Sequence, residues 1–160
     1  MLLVVADTSP IFYLLSIDHI DLLPQLFGKV FLPDAVHKEL CHPAAPTVVR
    51  EWAARLPVWV ELTPVETLED AALRPLGAGE RAAITLALTL RADLILIDER
   101  KGTNAALKKG FEVTGTLGVL SRAASRGFVD LADSFARLKG TNFRHRQEIM
   151  DALLDQKADE

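Results

Sequence analysis

Four carboxylates stand at positions where they can do chemistry. Asp7 ends the apolar run Met1–Ala6 within VVADTSP, and Asp98 ends the run Leu94–Ile97 within LILIDER. A carboxylate at the C-terminal end of a parallel strand faces the crevice where open α/β sheets bind ligands. The competing role is local, since Asp7 or Thr8 is also placed to cap the helix that follows. Glu80 lies four residues before Ile84 and so continues the apolar stripe of its helix. A glutamate there costs free energy unless it is paired or bound to a cation, although the first helical turn favours its ionised form. Capping its own helix is the alternative. Glu39 lies three residues after Val36 and just before Leu40, on the edge of another stripe, where reaching for water is the alternative.

Brought together, these acids repel. Two charges about 4 Å apart cost roughly 4 kcal/mol at an effective dielectric of 20. Something positive must offset that. Oxygen ligands without neighbouring histidine or cysteine ligands point to Mg²⁺ or Mn²⁺ rather than zinc. The chemistry such a site does best is phosphoryl transfer, with the metal activating water and steadying the leaving oxygen.

The elements that must position the acids follow from periodicity and punctuation. Strands are expected at Met1–Ala6, Val30–Leu32, Val58–Leu62 (a third strand or an edge strand), Leu94–Ile97 and Phe111–Val113. Helices are expected at Pro10–Ser16, Leu22–Phe27 interrupted by Pro24, Pro33–Cys41, Thr47–Leu56, a weak Thr67–Arg74, and Gly79–Arg91. Further helices follow at Asn104–Lys109 stopping at Gly110, from a Thr116 cap to near Gly127, and at Leu131–Leu138 and Gln147–Gln156. Strands alternating with helices mean an α/β domain with a mainly parallel sheet.

The 160 residues carry 18 Lys+Arg and 22 Asp+Glu, a net charge of −4 that argues neither for nor against a nucleic-acid partner. Residues 100–126 hold six bases and one acid, Glu112, which reads either as a solvated face or as an anion-facing patch. No apolar run approaches the ~20 residues that span a bilayer, and no signal sequence is evident, so a cytoplasmic protein without membrane contact is expected. The single cysteine, Cys41, agrees with a reducing compartment. His37 and Cys41 have i,i+4 spacing but no second pair of zinc ligands nearby, so packing is the expected role. Arg144, His145 and Arg146 read as a solvated helix start rather than an RNA contact, and Trp52 and Trp59 as core or interface. Gly77 and Gly79 lack the Lys-Ser/Thr that completes a P-loop.

The chain resembles the PIN-domain superfamily, which includes the VapC-type ribonuclease toxins of VapBC toxin–antitoxin modules. More closely, it resembles a PIN-like prokaryotic family. The resemblance rests on VVADTSPIFYL (Val4–Leu14), FGKVFLPDAVHKEL (Phe27–Leu40), LGAGERAAITLAL (Leu76–Leu88), LILIDERKG (Leu94–Gly102) and VTGTLGVL (Val113–Leu120), in that order. It implies a Rossmann-like α/β/α sandwich, with a core over residues 1–126 and a C-terminal helical extension, 127–160, packed on the same domain. It implies catalytic Asp7, Glu39, Glu80 and Asp98, with Asp7, Asp98 and Glu80 holding Mg²⁺ or Mn²⁺, and with Thr8, Ser9 and Glu99 in support. Glu99 adjoins Asp98, and of the two the strand's last residue is better placed. Lys101, Lys108 and Arg122 are candidate RNA contacts. The implied activity is metal-dependent hydrolysis of RNA, commonly blocked by a protein antitoxin, and a homodimer is a plausible assembly. The alternative is a catalytically inactive PIN-like module that binds RNA or protein. Toxins of the superfamily often carry Asp where this chain has Glu80, and close relatives carry arginines where it has Thr103 and Asn104. A dehalogenase-type phosphatase would want a second Asp at position 9, where Ser9 stands.

Overall fold

The computed structural model describes residues 2–66, 69–144 and 147–158. Five strands, β1 (Val4–Ala6), β2 (Val30–Pro33), β3 (Val60–Thr63), β4 (Leu94–Leu96) and β5 (Glu112–Thr114), form one sheet. Every pairing is parallel and the order is β3-β2-β1-β4-β5. Successive strands step one way from β1 to β3 and the other way from β4 to β5. The direction therefore reverses between β1 and β4, the position at which such sheets open a ligand crevice. Their register sets Ala6 beside Leu96, so Asp7 leaves the sheet beside Ile97 and Asp98.

The helices are α1 (Thr8–Ser16), α2 (Leu22–Phe27), α3 (Asp34–Leu40), α4 (Thr47–Ala54), α5 (Ala78–Leu90), α6 (Arg100–Lys108), α7 (Thr116–Ser125), α8 (Leu131–Lys139) and α9 (Gln147–Ala158). They cover both faces of the sheet. Val4, Ala6, Leu94 and Leu96 point to one side, where Leu14, Leu23, Val119, Leu120, Phe135 and Met150 pack on them. Val5, Ile95 and Ile97 point to the other, against Ala83, Ile84, Ala87 and Ala106. Strands buried on both faces read as unbroken apolar runs, which is why β1 and β4 stand out in the sequence.

Several boundaries differ from the sequence expectation for local reasons. Pro24 does not interrupt α2; it falls in the first turn, where its missing N–H costs nothing. The weak helix over Thr67–Arg74 is a single 3₁₀ turn, Ala71–Leu73, and residues 67 and 68 lie outside the described set. Helix α6 begins at Arg100, not Asn104. Gly102 lowers the helix signal there, yet a Cβ at that position would sit 2.5 Å from Ile97 Cδ1, so close packing on β4 requires the glycine. Gly110 ends that helix at φ +89°, a conformation that glycine adopts without strain. Thr116 is not the cap of α7; Gly115 holds that place, and the threonine hydroxyl is used elsewhere.

Candidate active site

The site lies where the loops after β1 and β4 leave the sheet at its switch point. Asp7 is 3% exposed, and its backbone N–H donates to the Leu96 carbonyl at 2.8 Å, which fixes it against β4. It occupies the cap position of α1, but its side chain makes no capping bond. Its Oδ1 is buried without a partner. A buried unpaired carboxylate oxygen costs free energy, so the local capping role does not account for this residue. Burial pushes the Asp7 carboxyl from 3.8 up to about 8. The Thr8 backbone N–H opposes the rise, while the charges of Glu80, Glu39 and Asp98 add to it. The other three sequence-predicted acids thus lie within electrostatic reach of Asp7.

Each of the other three is held differently. Asp98 accepts the Thr116 backbone N–H and the Thr116 hydroxyl, both at 2.7 Å, which ties the end of β4 to the start of α7. Burial raises its carboxyl above the usual range, and those two bonds pull it back. Glu39 accepts the Thr8 hydroxyl at 2.5 Å and the Gly79 backbone N–H at 3.1 Å, so one carboxylate clasps α1, α3 and α5. Glu80 is half-buried and its carboxyl is also raised, by burial first. Its own backbone N–H opposes the rise, and the neighbouring Glu99 and Glu39 carboxyls add to it.

Glycines make room for these side chains. A Cβ at Gly79 would stand 2.8 Å from Glu39 Oε1, one at Gly77 would stand 2.6 Å from Glu80 Oε2, and one at Gly115 would stand 2.5 Å from Asp98 Oδ1. The pair Gly77 and Gly79 is thus a cradle for carboxylates rather than for phosphate. Thr116, Gly79 and Gly115 were not singled out from sequence as parts of the site. The available signal was the Gly-Thr pair following β5 at the height at which Asp98 follows β4.

Of the candidate cations, Lys101 lies in the first turn of α6 and so stands at the site end. Lys108 is seven residues further along the same helix, about 10 Å away at 1.5 Å per residue. Arg122 pairs with Glu112, the first residue of β5, at 3.3 Å, and its guanidinium lies 5.8 Å from the centre of the Phe27 ring. Helices return antiparallel to the strands, so only their first turns border the crevice. Lys108 and Arg122 therefore stand at the opposite end of the sheet. Ser9 follows Thr8, half-buried. Arg144 is exposed, whereas His145 and Arg146 lie outside the described residues. The His37 ring Nε2 is 2.9 Å from the Ala53 carbonyl and therefore carries its hydrogen, which removes it as a metal ligand through that atom. Trp52 and Trp59 pack on the core, 6.1 Å apart.

The donor set fits a hard divalent cation: carboxylate oxygens only, one of them buried and unpaired, at the crevice of a parallel sheet. Asp7, Asp98 and Glu80 are the residues that could hold it. Among the described residues no three His, Cys, Asp or Glu side chains stand at coordinating separation as placed. Loading an ion therefore requires these side chains to adjust and to give up protons. Among the described residues no helix is long and apolar enough to cross a membrane.

A family model described as a PIN domain matches residues 3–160, which includes α8 and α9. No curated protein matches the chain.

Proposed function

The chain belongs to the PIN-domain family, a family of nuclease-type domains, and from that premise we propose that it is a divalent-metal-dependent endoribonuclease. The observation that carries the reading is Asp7, a buried carboxylate with an unpartnered oxygen, within electrostatic reach of three more acids at the sheet's switch point. Asp7, Asp98 and Glu80 would hold Mg²⁺ or Mn²⁺. When bound, the ion supplies Lewis acidity toward a phosphate oxygen and lowers the pKa of a water molecule. Thr8 and Gly79 hold Glu39 by hydrogen bonds, which leaves that carboxylate oriented rather than free to swing. In hydrolysis a water oxygen adds to phosphorus, its proton passes to a carboxylate, and the bond to the leaving oxygen breaks.

The same reading makes the protein a cytoplasmic toxin of a toxin–antitoxin pair, or a relative of one. RNA is its substrate, a protein antitoxin its partner and a homodimer its assembly. The deciding experiment incubates purified protein with labelled RNA in chelator, Mg²⁺ or Mn²⁺, beside an Asp7→Ala control. Metal-dependent cleavage that vanishes in the control supports the nuclease. Cleavage by Asp7→Ala at the parent's rate sinks the scheme. Metal binding without cleavage of any RNA favours the inactive binding module.

A further inference from the structure

Helix α5 carries a second polar face beside the one that serves the acids. Arg81 follows Glu80 and so lies about 100° round the helix from it, and Thr85 stands one turn beyond Arg81 on the same face. Both line a cavity of about 120 Å³, closed by the start of α3, the chain after β3 and the turn Ala71–Leu73. Asp7, Glu39, Glu80 and Asp98 are not part of its wall, so it is separate from the crevice. Two donors in it are unused. Among the described residues Arg81 forms no ion pair, and its buried Nε–H meets no acceptor. Thr85 is 4% exposed, yet among the described residues its hydroxyl makes no hydrogen bond; the Thr89 hydroxyl bonds its carbonyl instead, at 3.0 Å. The acids of the wall are committed elsewhere. Glu69 pairs with Arg74 at 3.1 Å and Asp70 with Lys109 at 2.7 Å. Asp34 Oδ1 accepts the backbone N–H of Ala35 at 2.9 Å and that of Val65 at 3.3 Å.

We infer that this cavity is a binding site for a small monocarboxylate, held by Arg81 and Thr85. Buried donors without partners cost free energy, and a ligand that accepts from both removes that cost. A guanidinium presents a planar fork that a carboxylate matches with two parallel bonds, and the Thr85 hydroxyl adds a third donor one turn away. Charge sets the valence of the ligand. The Glu69–Arg74 and Asp70–Lys109 pairs are each neutral, which leaves Arg81 as the open cation of the described wall, facing the exposed Asp34 carboxylate. One negative charge is matched by Arg81. The second charge of a phosphate dianion is not, and it meets Asp34. Val65, Leu73, Ala78 and Ala82 complete the wall with apolar surface, so the carboxylate carries a short hydrocarbon body. An apolar cavity of about 150 Å³ holds benzene, so this smaller one holds an acid of about four carbons. The site does not depend on the nuclease reading, because none of the four acids takes part in it.

The test titrates the full chain with butyrate and follows the arginine Nε–H signals by nitrogen-15 NMR, with Arg81 identified by the signal lost in Arg81→Lys. Butyrate is expected to move the Arg81 signal and to saturate in the millimolar range usual for so small a ligand. Butyramide, which has the same shape without the charge, and inorganic phosphate are expected to leave it in place. Arg81→Lys keeps the charge but loses the fork, and should weaken butyrate binding about tenfold by calorimetry. Thr85→Val keeps the shape but loses the hydroxyl, and should weaken it about fivefold. Thr85→Val should also unfold in urea no earlier than the parent, since its hydroxyl has no partner to lose. N-acetylalanine separates two sources of the same group. Tighter binding of butyrate assigns the site to a free acid, tighter binding of N-acetylalanine assigns it to a chain terminus, and either order supports a carboxylate site. An Arg81 signal that neither acid moves in the folded chain overturns the inference. So does an equal response to butyramide or phosphate, or parent-like affinity in both variants. An early urea midpoint in Thr85→Val overturns it too, because the hydroxyl would then be in use within the fold.

Discussion

Replacing Asp7 by asparagine should stabilise the metal-free protein at alkaline pH while abolishing its chemistry. In the unfolded chain the Asp7 carboxyl titrates near 3.8, and in the fold near 8. Between those values the native state holds one more proton than the unfolded state. Stability therefore falls as pH rises, by up to about 1.4 kcal/mol per pH unit. The contribution is fully present below pH 4, declines through the neutral range and is gone above pH 8. Four units give an upper bound of about 6 kcal/mol, with part of the titration shared among the neighbouring acids. Asparagine has no charge to desolvate and so lacks this slope. It leaves a buried amide partly unpaired, at about 1–3 kcal/mol, much as protonated Asp7 leaves its own hydroxyl. The two proteins should match near pH 4, and the variant should exceed the parent by about 2 kcal/mol or more at pH 8. Urea unfolding in chelator across that range measures the difference. Added Mg²⁺ should restore the parent, more at pH 8 than at pH 5, and leave the variant unchanged, because the ion competes with a proton only in the parent. Parallel pH profiles for the two proteins would refute the burial argument.

Gly79→Ala should retain the fold and lose most activity, because its Cβ would enter the space of Glu39 Oε1 at 2.8 Å; circular dichroism beside an RNA cleavage assay separates the two effects. Thr116→Val removes the hydroxyl bond to Asp98 but keeps the backbone bond, and should cost about 1–2 kcal/mol in urea unfolding. Glu99→Gln removes one of the influences holding the Glu80 carboxyl up, so the acidic limb of the cleavage pH profile should move to lower pH. Phe135→Ala, in a side chain 2% exposed at the packing of α8 on the sheet, should cost about 3–5 kcal/mol, and an unchanged urea midpoint would contradict that packing.

The parallel sheet was legible because its central strands are buried on both faces. Val4–Ala6 and Leu94–Leu96 can be nothing but apolar there, and an aspartate closing each run is conspicuous. That each of Asp7 and Asp98 follows a strand end is a one-dimensional fact. That the strands are neighbours is not, and it follows only from the order β2-β1-β4. Edges were harder. Strand β3 has one neighbour and is only half-buried, so its apolar pattern is diluted and its start lies at Val60 rather than Val58. The helical reading of Gln147–Gln156 holds, with the helix running on to Ala158.

What the sequence could not show is which competing role each polar residue takes, because that depends on partners far along the chain. Asp7 and Thr8 were equal candidates to cap α1. In the fold neither does so, since the Thr8 hydroxyl turns to Glu39, 31 residues away, and the Asp7 oxygen is left unpaired. The sequence pattern makes Thr116 a cap for the same local reason, and its hydroxyl instead crosses to Asp98, 18 residues earlier. In each case a long-range carboxylate displaces a short-range backbone bond. A charged acceptor roughly doubles the strength of a hydrogen bond, so a buried acid outcompetes a solvated helix end for the same hydroxyl. The rule has a consequence for reading related chains. Where a threonine or glycine opens a helix at the C-terminal edge of a parallel sheet, the acid that ends the neighbouring strand is the first partner to test, ahead of the helix itself.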